Sequence, residues 1–168
     1  MSDASDQRPS VALVVGSAND LKRLDEARAV FAWFGLVYEV HVASAHRAPR
    51  RVLDLAEGAA ARGIRVLIAG AGKAAALPGV LAAATTIPVI GVPFSSPDLG
   101  GLDALLSSVQ MPRGVPVATV AIGNAENAAL LAAEILALHD EDLRARLDAY
   151  RAAMRQAVLG DPSNAEAG

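Results

Sequence analysis

Residues 40–49 read Val-His-Val-Ala-Ser-Ala-His-Arg-Ala-Pro, and the predicted fold is organised around this stretch. Its first half predicts a strand, because apolar and polar residues alternate from Tyr38 to Val42 with the period of two of a pleated strand. Its end predicts a helix start, since Pro49 suits the first helical turn, where a missing backbone N–H leaves no bond unmade. Residues 40–49 are therefore a strand-to-helix corner.

This corner carries three side chains suited to chemistry, Ser44, His46 and Arg47. In a parallel α/β sheet such corners lie at the carboxyl edge, where ligands bind. A histidine can exchange a proton near neutral pH, and an arginine can form a bidentate hydrogen bond to a phosphate or carboxylate. A lone histidine is more often a surface or capping residue, but its place between a serine and an arginine favours function. We expect Ser44 and Arg47 to hold phosphate and His46 to transfer protons.

Outward from this corner, strands and helices alternate about five times. Apolar runs predict strands at 11–15, 38–42, 64–69, 88–92 and 116–122. Helical spacing or composition predicts helices at 21–34, 49–62, 80–84, 102–109, 127–138 and 140–159. The alternation predicts a three-layer αβα fold of the α/β class. Its sheet is expected to be mostly parallel and flavodoxin-like, with about five strands, and an extra helix is expected at the C-terminus.

The composition limits the classes of function. The chain has 168 residues, a net charge of −3 and no cysteine, so disulfides, thiolate nucleophiles and thiolate metal sites are excluded. The mixed charge, without a basic block, argues against nucleic acid or an anionic membrane as a partner. No apolar run approaches the ~20 residues that span a bilayer, and residues 1–9 lack the apolar core of a signal peptide. A cytoplasmic protein is the expectation.

One domain is expected, because this length suits a single core and no linker divides the chain. We expect a disordered tail at 1–9, the α/β domain at 10–160 and a flexible tail at 161–168. The helix at 140–159 has no further strand to cover, yet it carries an apolar stripe. The stripe consists of Leu143, Leu147, Tyr150, Met154 and Val158. Such a helix is expected to pack on a second subunit, which predicts a homo-oligomer.

Two further corners are expected beside the first. After the strand at 11–15 come Ser17, Asn19 and Asp20, where the amides of a helix N-terminus can bind an anion and the serine adds a hydroxyl donor. The acidic Asp20 is expected to face a sugar hydroxyl or an amine. Taken alone, this pattern is also that of a plain helix cap.

The third corner, at 70–79, is rich in glycine and alanine. Gly70 and Gly72 are expected to adopt positive φ and to let the backbone approach a ligand. Lys73 is either a solvated lysine or a cation aimed at a carboxylate or phosphate. The corner lacks the Gly-Lys-Ser/Thr of a Walker loop and the third glycine of a dinucleotide fingerprint. The chain's three histidines lack a carboxylate pair at ligand spacing, so no metal site is predicted.

At these corners the sequence resembles the class I N5-carboxyaminoimidazole ribonucleotide mutases, the bacterial phosphoribosylaminoimidazole carboxylases of purine biosynthesis. That family carries Gly-Ser-x-Ser-Asp, Ser-Ala-His-Arg and Ala-Gly-Ala-Gly-Gly-Ala-Ala-His-Leu-Pro-Gly at three strand ends. Here residues 16–20 read Gly-Ser-Ala-Asn-Asp, residues 44–47 match without change, and residues 69–79 read Ala-Gly-Ala-Gly-Lys-Ala-Ala-Ala-Leu-Pro-Gly. Further family signatures lie at 101–107, 109–114 and 116–123.

The resemblance implies a reaction that uses neither a metal nor an organic cofactor. The substrate would be an aminoimidazole ribonucleotide with a carboxylate on its exocyclic nitrogen, which the enzyme would move to ring carbon C4. The matched motifs imply that Ser17, Asp20 and Arg47 bind the nucleotide and that His46 is the proton shuttle, first acid and then base. The family also implies a homo-octamer in which C-terminal helices reach neighbouring subunits.

Departures from the family pattern leave alternatives open. Asn19 replaces a serine, Lys73 a glycine and Ala76 a histidine, and the chain is shorter near residues 124–127. Asn19, Gly72 and Lys73 are still expected to contact substrate. The alternatives are a paralogue that carboxylates or decarboxylates a related heterocyclic nucleotide, with Lys73 as a contact, and a nucleotide-binding protein without turnover. A flavodoxin-like flavin binder is disfavoured, because aromatic residues make up 4% of the chain.

Overall fold

The computed structural model describes residues 8–161, so most of both predicted tails, 1–7 and 162–168, lies outside the described residues. The strands are β1 (Val11–Val15), β2 (Tyr38–Val42), β3 (Val66–Gly72), β4 (Val89–Phe94) and β5 (Ala118–Thr119). The α-helices are α1 (Asp25–Phe34), α2 (Pro49–Glu57), α3 (Ala76–Ala83), α4 (Leu102–Val109), α5 (Ala125–Ala137) and α6 (Glu141–Leu159). Two 3-10 helices are Ala18–Leu24, before α1, and Ala60–Arg62, before β3.

The strands described between residues 8 and 161 form one parallel sheet in the order β2-β1-β3-β4-β5. This is the flavodoxin-like order, in which the winding reverses between β1 and β3 and leaves a ligand crevice at the carboxyl edge. The ladders pair Val15 with Val42 on one side and with Gly70 on the other, so the corners leave the sheet at nearly the same level. The predicted flavodoxin-like α/β fold is confirmed.

The sheet is buried between two helical layers. On one face, Leu13, Ile68 and Ile90 belong to an apolar core that includes α1 and α5. On the other face, Val14 and Leu67 belong to a second core that includes α2, α3 and α4. Most core positions of α5 are alanines, and these small side chains let the helix lie close to α1 and to the sheet. Three layers result, as the alternation of strands and helices predicts.

Several element ends differ from their predicted positions, such as the start of α3 at Ala76 instead of residue 80, and three others show the physical reason. β3 continues to Gly72 instead of stopping at residue 69, because its last residues pair with the end of β4. β5 is only two residues long, since its ladder to β4 covers Ile90 and Gly91 alone among the described pairs. α2 ends at Glu57, and a separate 3-10 turn fills the remainder of the predicted helix. Apolar runs locate these elements, but the lengths of the ladders depend on neighbouring strands.

The C-terminal helix α6 packs on the domain with its first half. The carboxylate of Asp140 caps it by accepting the Leu143 N–H at 2.9 Å, a contact that stabilises a helix by about 1 kcal/mol. Leu143 and Leu147 are buried in the core, and the Tyr150 ring lies 5.3 Å from that of Trp33. Residues 151–159 are exposed. No helix within residues 8–161 has both the length and the apolar character of a membrane span.

Candidate active site

The three predicted corners line one cavity of about 320 Å³ at the carboxyl edge of the sheet. Six predicted site residues border it: Ser17, Asp20, Ser44, His46, Arg47 and Gly72. They come together because β1 lies between β2 and β3, so the chain leaves all three strands beside one another. A larger cavity of about 520 Å³ lies between α5 and α6, but none of the three corners contributes to it. The smaller cavity is therefore the candidate active site.

Arg47 ties the corner after β2 to the corner after β1. Its Nε donates to Ser44 Oγ at 3.3 Å, and its Nη2 donates to the Gly16 carbonyl at 2.9 Å. Ser44 Oγ also accepts the backbone N–H of Arg47 at 3.2 Å, which fixes the turn. An arginine has five N–H donors, so these two side-chain bonds leave other N–H groups for an anion in the cavity. The guanidinium is thus oriented before any ligand binds.

The corner after β1 presents a hydroxyl and a carboxylate. Ser17 Oγ accepts the backbone N–H of Asn19 at 3.3 Å and caps the 3-10 helix Ala18–Leu24. Asp20 is half-buried and borders the cavity. Asn19 is exposed and lies outside the residues that border the cavity. The structure therefore brings Ser17 and Asp20 to His46, and it gives Asn19 a backbone contact with the capping serine.

His46 lies in the turn that joins β2 to α2. The Ala48 N–H donates to the Ser44 carbonyl at 2.9 Å and closes this turn, after which Pro49 begins the helix. His46 is exposed, so solvent protons reach it, and it borders the same cavity as Ser17 and Arg47. An imidazole in this position can exchange protons with a ligand held by those two residues.

The prediction of positive φ at Gly70 and Gly72 is wrong, because both residues lie in extended β3. Gly70 is needed for packing instead. A Cβ at this position would lie 2.3 Å from Cζ of the buried Phe94 ring, well inside van der Waals contact. At Gly72 the nearest atom to such a Cβ would be the Phe94 carbonyl oxygen at 3.5 Å, an ordinary contact. Gly70 therefore makes room for an aromatic ring, while Gly72 borders the cavity.

Lys73 has the positive φ, +54°, and no other non-glycine residue of the described range shares this conformation. Its Nζ lies 2.7 Å from Oδ2 of Asp98, in the loop between β4 and α4. The hydrogen bond and the charge of Asp98 raise the pKa of Lys73 above its usual value. Lys73 borders a neighbouring cavity of about 330 Å³, which shares Asp20 and Gly72 with the first. The ammonium group is thus engaged outside the His46 cavity, and this geometry gives no support to a paralogue that uses Lys73 as a substrate contact.

Two substitutions separate the backbone strain at Lys73 from its ion pair. Lys73→Met removes the charge and keeps the Cβ at positive φ, whereas Lys73→Gly removes both. We expect Lys73→Gly to melt about 2–8 °C above Lys73→Met, because relief of left-handed strain is worth roughly 1–2 kcal/mol and each kcal/mol shifts the melting temperature of a chain of this size by about 2–4 °C. Thermal unfolding at one protein concentration measures this, and equal melting temperatures would show that residue 73 is unstrained.

The same ion pair has a defined pH dependence. Because the pKa of Lys73 is raised on folding, its contribution to stability is complete at neutral pH and is lost only as the pH rises through that elevated pKa. Both side chains are mostly exposed, so solvent screens the pair and its contribution is small. Neither variant has the ammonium group, so the ion pair cancels in their comparison and the difference in melting temperature reports on the backbone.

Arg23 is a residue near the site that sequence reasoning missed. It borders the second cavity and lies within 3.5 Å of Asp20, measured from Nε to Oδ1. The available signal was its position three residues after Asp20, near the start of the predicted helix 21–34, since residues at this spacing are neighbours on a helix. Within the part of the chain that the structure describes, no group of three or more His, Cys, Asp or Glu side chains is placed to hold a metal ion.

The parallel sheet of order β2-β1-β3-β4-β5 defines a flavodoxin-like α/β protein, and the cleft at its switch point is the candidate ligand site. The family model described as AIR carboxylase matches residues 10–157, which is most of the chain. This chain belongs to the AIR carboxylase family.

Individual relatives agree with this assignment. The N5-carboxyaminoimidazole ribonucleotide mutase of Saccharolobus solfataricus is 52% identical over 151 residues, which cover 90% of this chain and 96% of that protein. The protein of the same name from Pyrococcus abyssi is 54% identical over 148 residues, 88% of this chain and 85% of its own. The crystal structure of PurE from Treponema denticola matches with a TM-score of 0.85 and 29% identity, over 95% of this chain and 99% of that one.

Proposed function

We propose that this chain is an N5-carboxyaminoimidazole ribonucleotide mutase of de novo purine biosynthesis, which moves a carboxylate from the exocyclic nitrogen of its substrate to ring carbon C4. The observation that carries the proposal is the cavity in which residues 44–47, Ser-Ala-His-Arg, adjoin Ser17 and Asp20. Identities of 52% and 54% to relatives of that name, over most of the chain, support it.

The binding roles follow from the charge and position of each group. Arg47, held by Ser44 and by the Gly16 carbonyl, offers its remaining N–H groups to the substrate phosphate, with the Ser17 hydroxyl beside it. Asp20 would repel a phosphate, so it accepts hydrogen bonds from the ribose hydroxyls. Gly72 borders the cavity without a side chain and so leaves space for the ring.

His46 carries out the proton transfers of the reaction. As imidazolium it protonates the exocyclic nitrogen, the N–C bond breaks, its electron pair stays on nitrogen, and CO2 is released. C4 of the electron-rich ring then attacks CO2 and forms the new C–C bond. The neutral imidazole removes the proton from C4, which restores the aromatic ring and the imidazolium. The protons balance over one turnover, so a single residue suffices as acid and base.

The enzyme works in the cytoplasm as a homo-oligomer, an octamer as the family resemblance implies. The oligomer is supported by the second half of α6, residues 151–159, which extends from the core with every residue exposed. Met154 in this segment is 54% exposed, and the nearby Trp33 of α1 is 59% exposed. Large apolar side chains at one end of a domain are typical of a subunit contact. Sedimentation equilibrium of the full chain is expected to give about eightfold its 17.2 kDa mass.

Turnover of the two carboxylated ribonucleotides tests the function. Purified protein is supplied separately with the N5-carboxylated and the C4-carboxylated aminoimidazole ribonucleotide, and ultraviolet absorbance and CO2 release are followed. We expect interconversion of the two compounds in both directions, with little loss of CO2 to the medium. If the protein binds both compounds and converts neither, it is a nucleotide-binding protein and the proposal is wrong.

Arg47→Ala is expected to weaken binding of phosphorylated ligands by about 10- to 100-fold. The reason is that a hydrogen bond to a charged group contributes roughly 1.5–3 kcal/mol. The unphosphorylated nucleoside, which lacks the partner of Arg47, is expected to lose less than about threefold by the same argument. Calorimetric titration of 5-aminoimidazole ribonucleotide and of its nucleoside gives both ratios.

Arg51→Ala is the matched control. Arg51 lies on α2, four residues after Arg47, and its Nε donates to the Val42 carbonyl at 3.0 Å, but it does not border the cavity. This variant is expected to bind the ribonucleotide like the parent. If Arg47→Ala loses affinity equally for the nucleotide and the nucleoside, Arg47 does not bind the substrate phosphate.

A further inference from the structure

We propose that Arg23 is a positioning residue that holds the carboxylate of Asp20 toward the substrate; this rests on the proposed function. Asp20 borders both the His46 cavity and the neighbouring one, while Arg23 borders only the second of these two. Arg23 therefore contacts Asp20 from the second cavity, outside the cavity that His46 borders. It does not touch the space in which the substrate binds.

The guanidinium of Arg23 is held by three contacts from different parts of the chain. Nη1 donates to the Ser95 carbonyl at 3.0 Å, and Nε lies 3.5 Å from Asp20 Oδ1. Its central carbon lies 5.0 Å from the centroid of the Phe94 ring, within the range of a cation–π contact. A long side chain fixed in this way presents its charge to Asp20 in one direction instead of moving freely in solvent.

The surface that supports Arg23 is itself rigid. The Phe94 ring is 1% exposed and fills the space over Gly70, where even a methyl group would collide with it. Asp20 and Arg23 lie on the 3-10 helix Ala18–Leu24, in which side chains three residues apart eclipse each other. Gly70, Phe94, Arg23 and Asp20 thus form a continuous series of contacts from the sheet to the cavity.

The consequence for the enzyme is an effect on binding and not on proton transfer. A carboxylate that accepts hydrogen bonds from ribose hydroxyls must hold its orientation, and without Arg23 it loses its cationic neighbour and turns among several rotamers. His46 and Arg47 lie in the other corner and keep their contacts. We expect Arg23→Ala to raise KM for the ribonucleotide about five- to twentyfold and to leave kcat within about twofold, since an oriented charge-assisted contact is lost from binding alone.

The test compares four variants in the same turnover assay: Arg23→Ala, Arg23→Lys, Asp20→Asn and the double variant Arg23→Ala with Asp20→Asn. Arg23→Lys keeps the charge but cannot bond Ser95 and stack on Phe94 with the same planar fork, so its KM is expected between those of parent and Arg23→Ala. In the Asp20→Asn background, Arg23→Ala is expected to change KM by less than about twofold, because its partner is already gone.

Lys22→Ala is the matched control, since Lys22 carries the same charge one residue earlier on the same helix and is exposed. It is expected to keep the KM of the parent. The proposal is overturned if Arg23→Ala behaves like Lys22→Ala, or if the effects of Arg23→Ala and Asp20→Asn multiply in the double variant.

Failure of the proposed function can be distinguished from failure of the proposal for Arg23. If the parent protein converts neither carboxylated compound, titration with 5-aminoimidazole ribonucleotide replaces KM, and the same four variants still decide whether Arg23 acts through Asp20.

Discussion

His46→Asn is expected to reduce mutase turnover by about 10²- to 10⁴-fold, the usual contribution of a positioned acid–base group. Asparagine has a similar size and keeps a polar amide at the same place, but it cannot gain and lose a proton near neutral pH. Ser17 and Arg47 border the cavity independently of the imidazole, so affinity for 5-aminoimidazole ribonucleotide is expected to stay within a few-fold of the parent.

The measurement pairs turnover with calorimetric binding on the same preparations. His139→Asn is the control, because His139 is exposed at the junction between α5 and α6, far along the chain from the three corners. It is expected to retain the activity of the parent. Full turnover by His46→Asn would rule out the proton-shuttle mechanism, and loss of binding together with turnover would assign His46 to binding.

Much of the fold could be predicted because its signals are local. The unbroken apolar run Val11–Val15 marks a strand buried on both faces, and Gly35, at φ +66°, ends α1 where the apolar periodicity stops. The length of β5 could not be predicted: β4 continues to Phe94, but the chain after Thr119 stays in the ladder with β4 only up to Gly91. Local pattern locates an element, while its neighbours set its limits.

In the candidate site, too, local sequence predicts some features while distant parts of the chain determine others. The order of the corners in a parallel sheet is enough to expect Ser17, His46 and Arg47 in one cleft, and the cavity contains all three. The partner of Lys73 could not be predicted, because Asp98 is 25 positions away in a loop whose path depends on β4. The role of Gly70 was misassigned for a related reason, since the ring that needs its space belongs to another strand.

Gly70→Ala is expected to lower the free energy of unfolding by about 1–3 kcal/mol, the usual cost of overpacking a core. The added methyl group would lie 2.3 Å from Cζ of Phe94, and the ring is buried, so it cannot move into solvent. The backbone cannot yield easily either, because Gly70 pairs with Val15 of β1 and with Val92 of β4. The cost therefore arises from a side chain that must leave its preferred position.

Urea denaturation at fixed protein concentration measures the effect, with Gly72→Ala as the control two residues along the same strand. There a methyl group meets its nearest neighbour at 3.5 Å, so little change in stability is expected. The double variant Gly70→Ala with Phe94→Leu provides the decisive comparison. Because leucine leaves room for the methyl group, the double variant is expected to be less destabilised than the sum of the two single variants. Additive losses would show that Phe94 is not the reason that position 70 requires glycine.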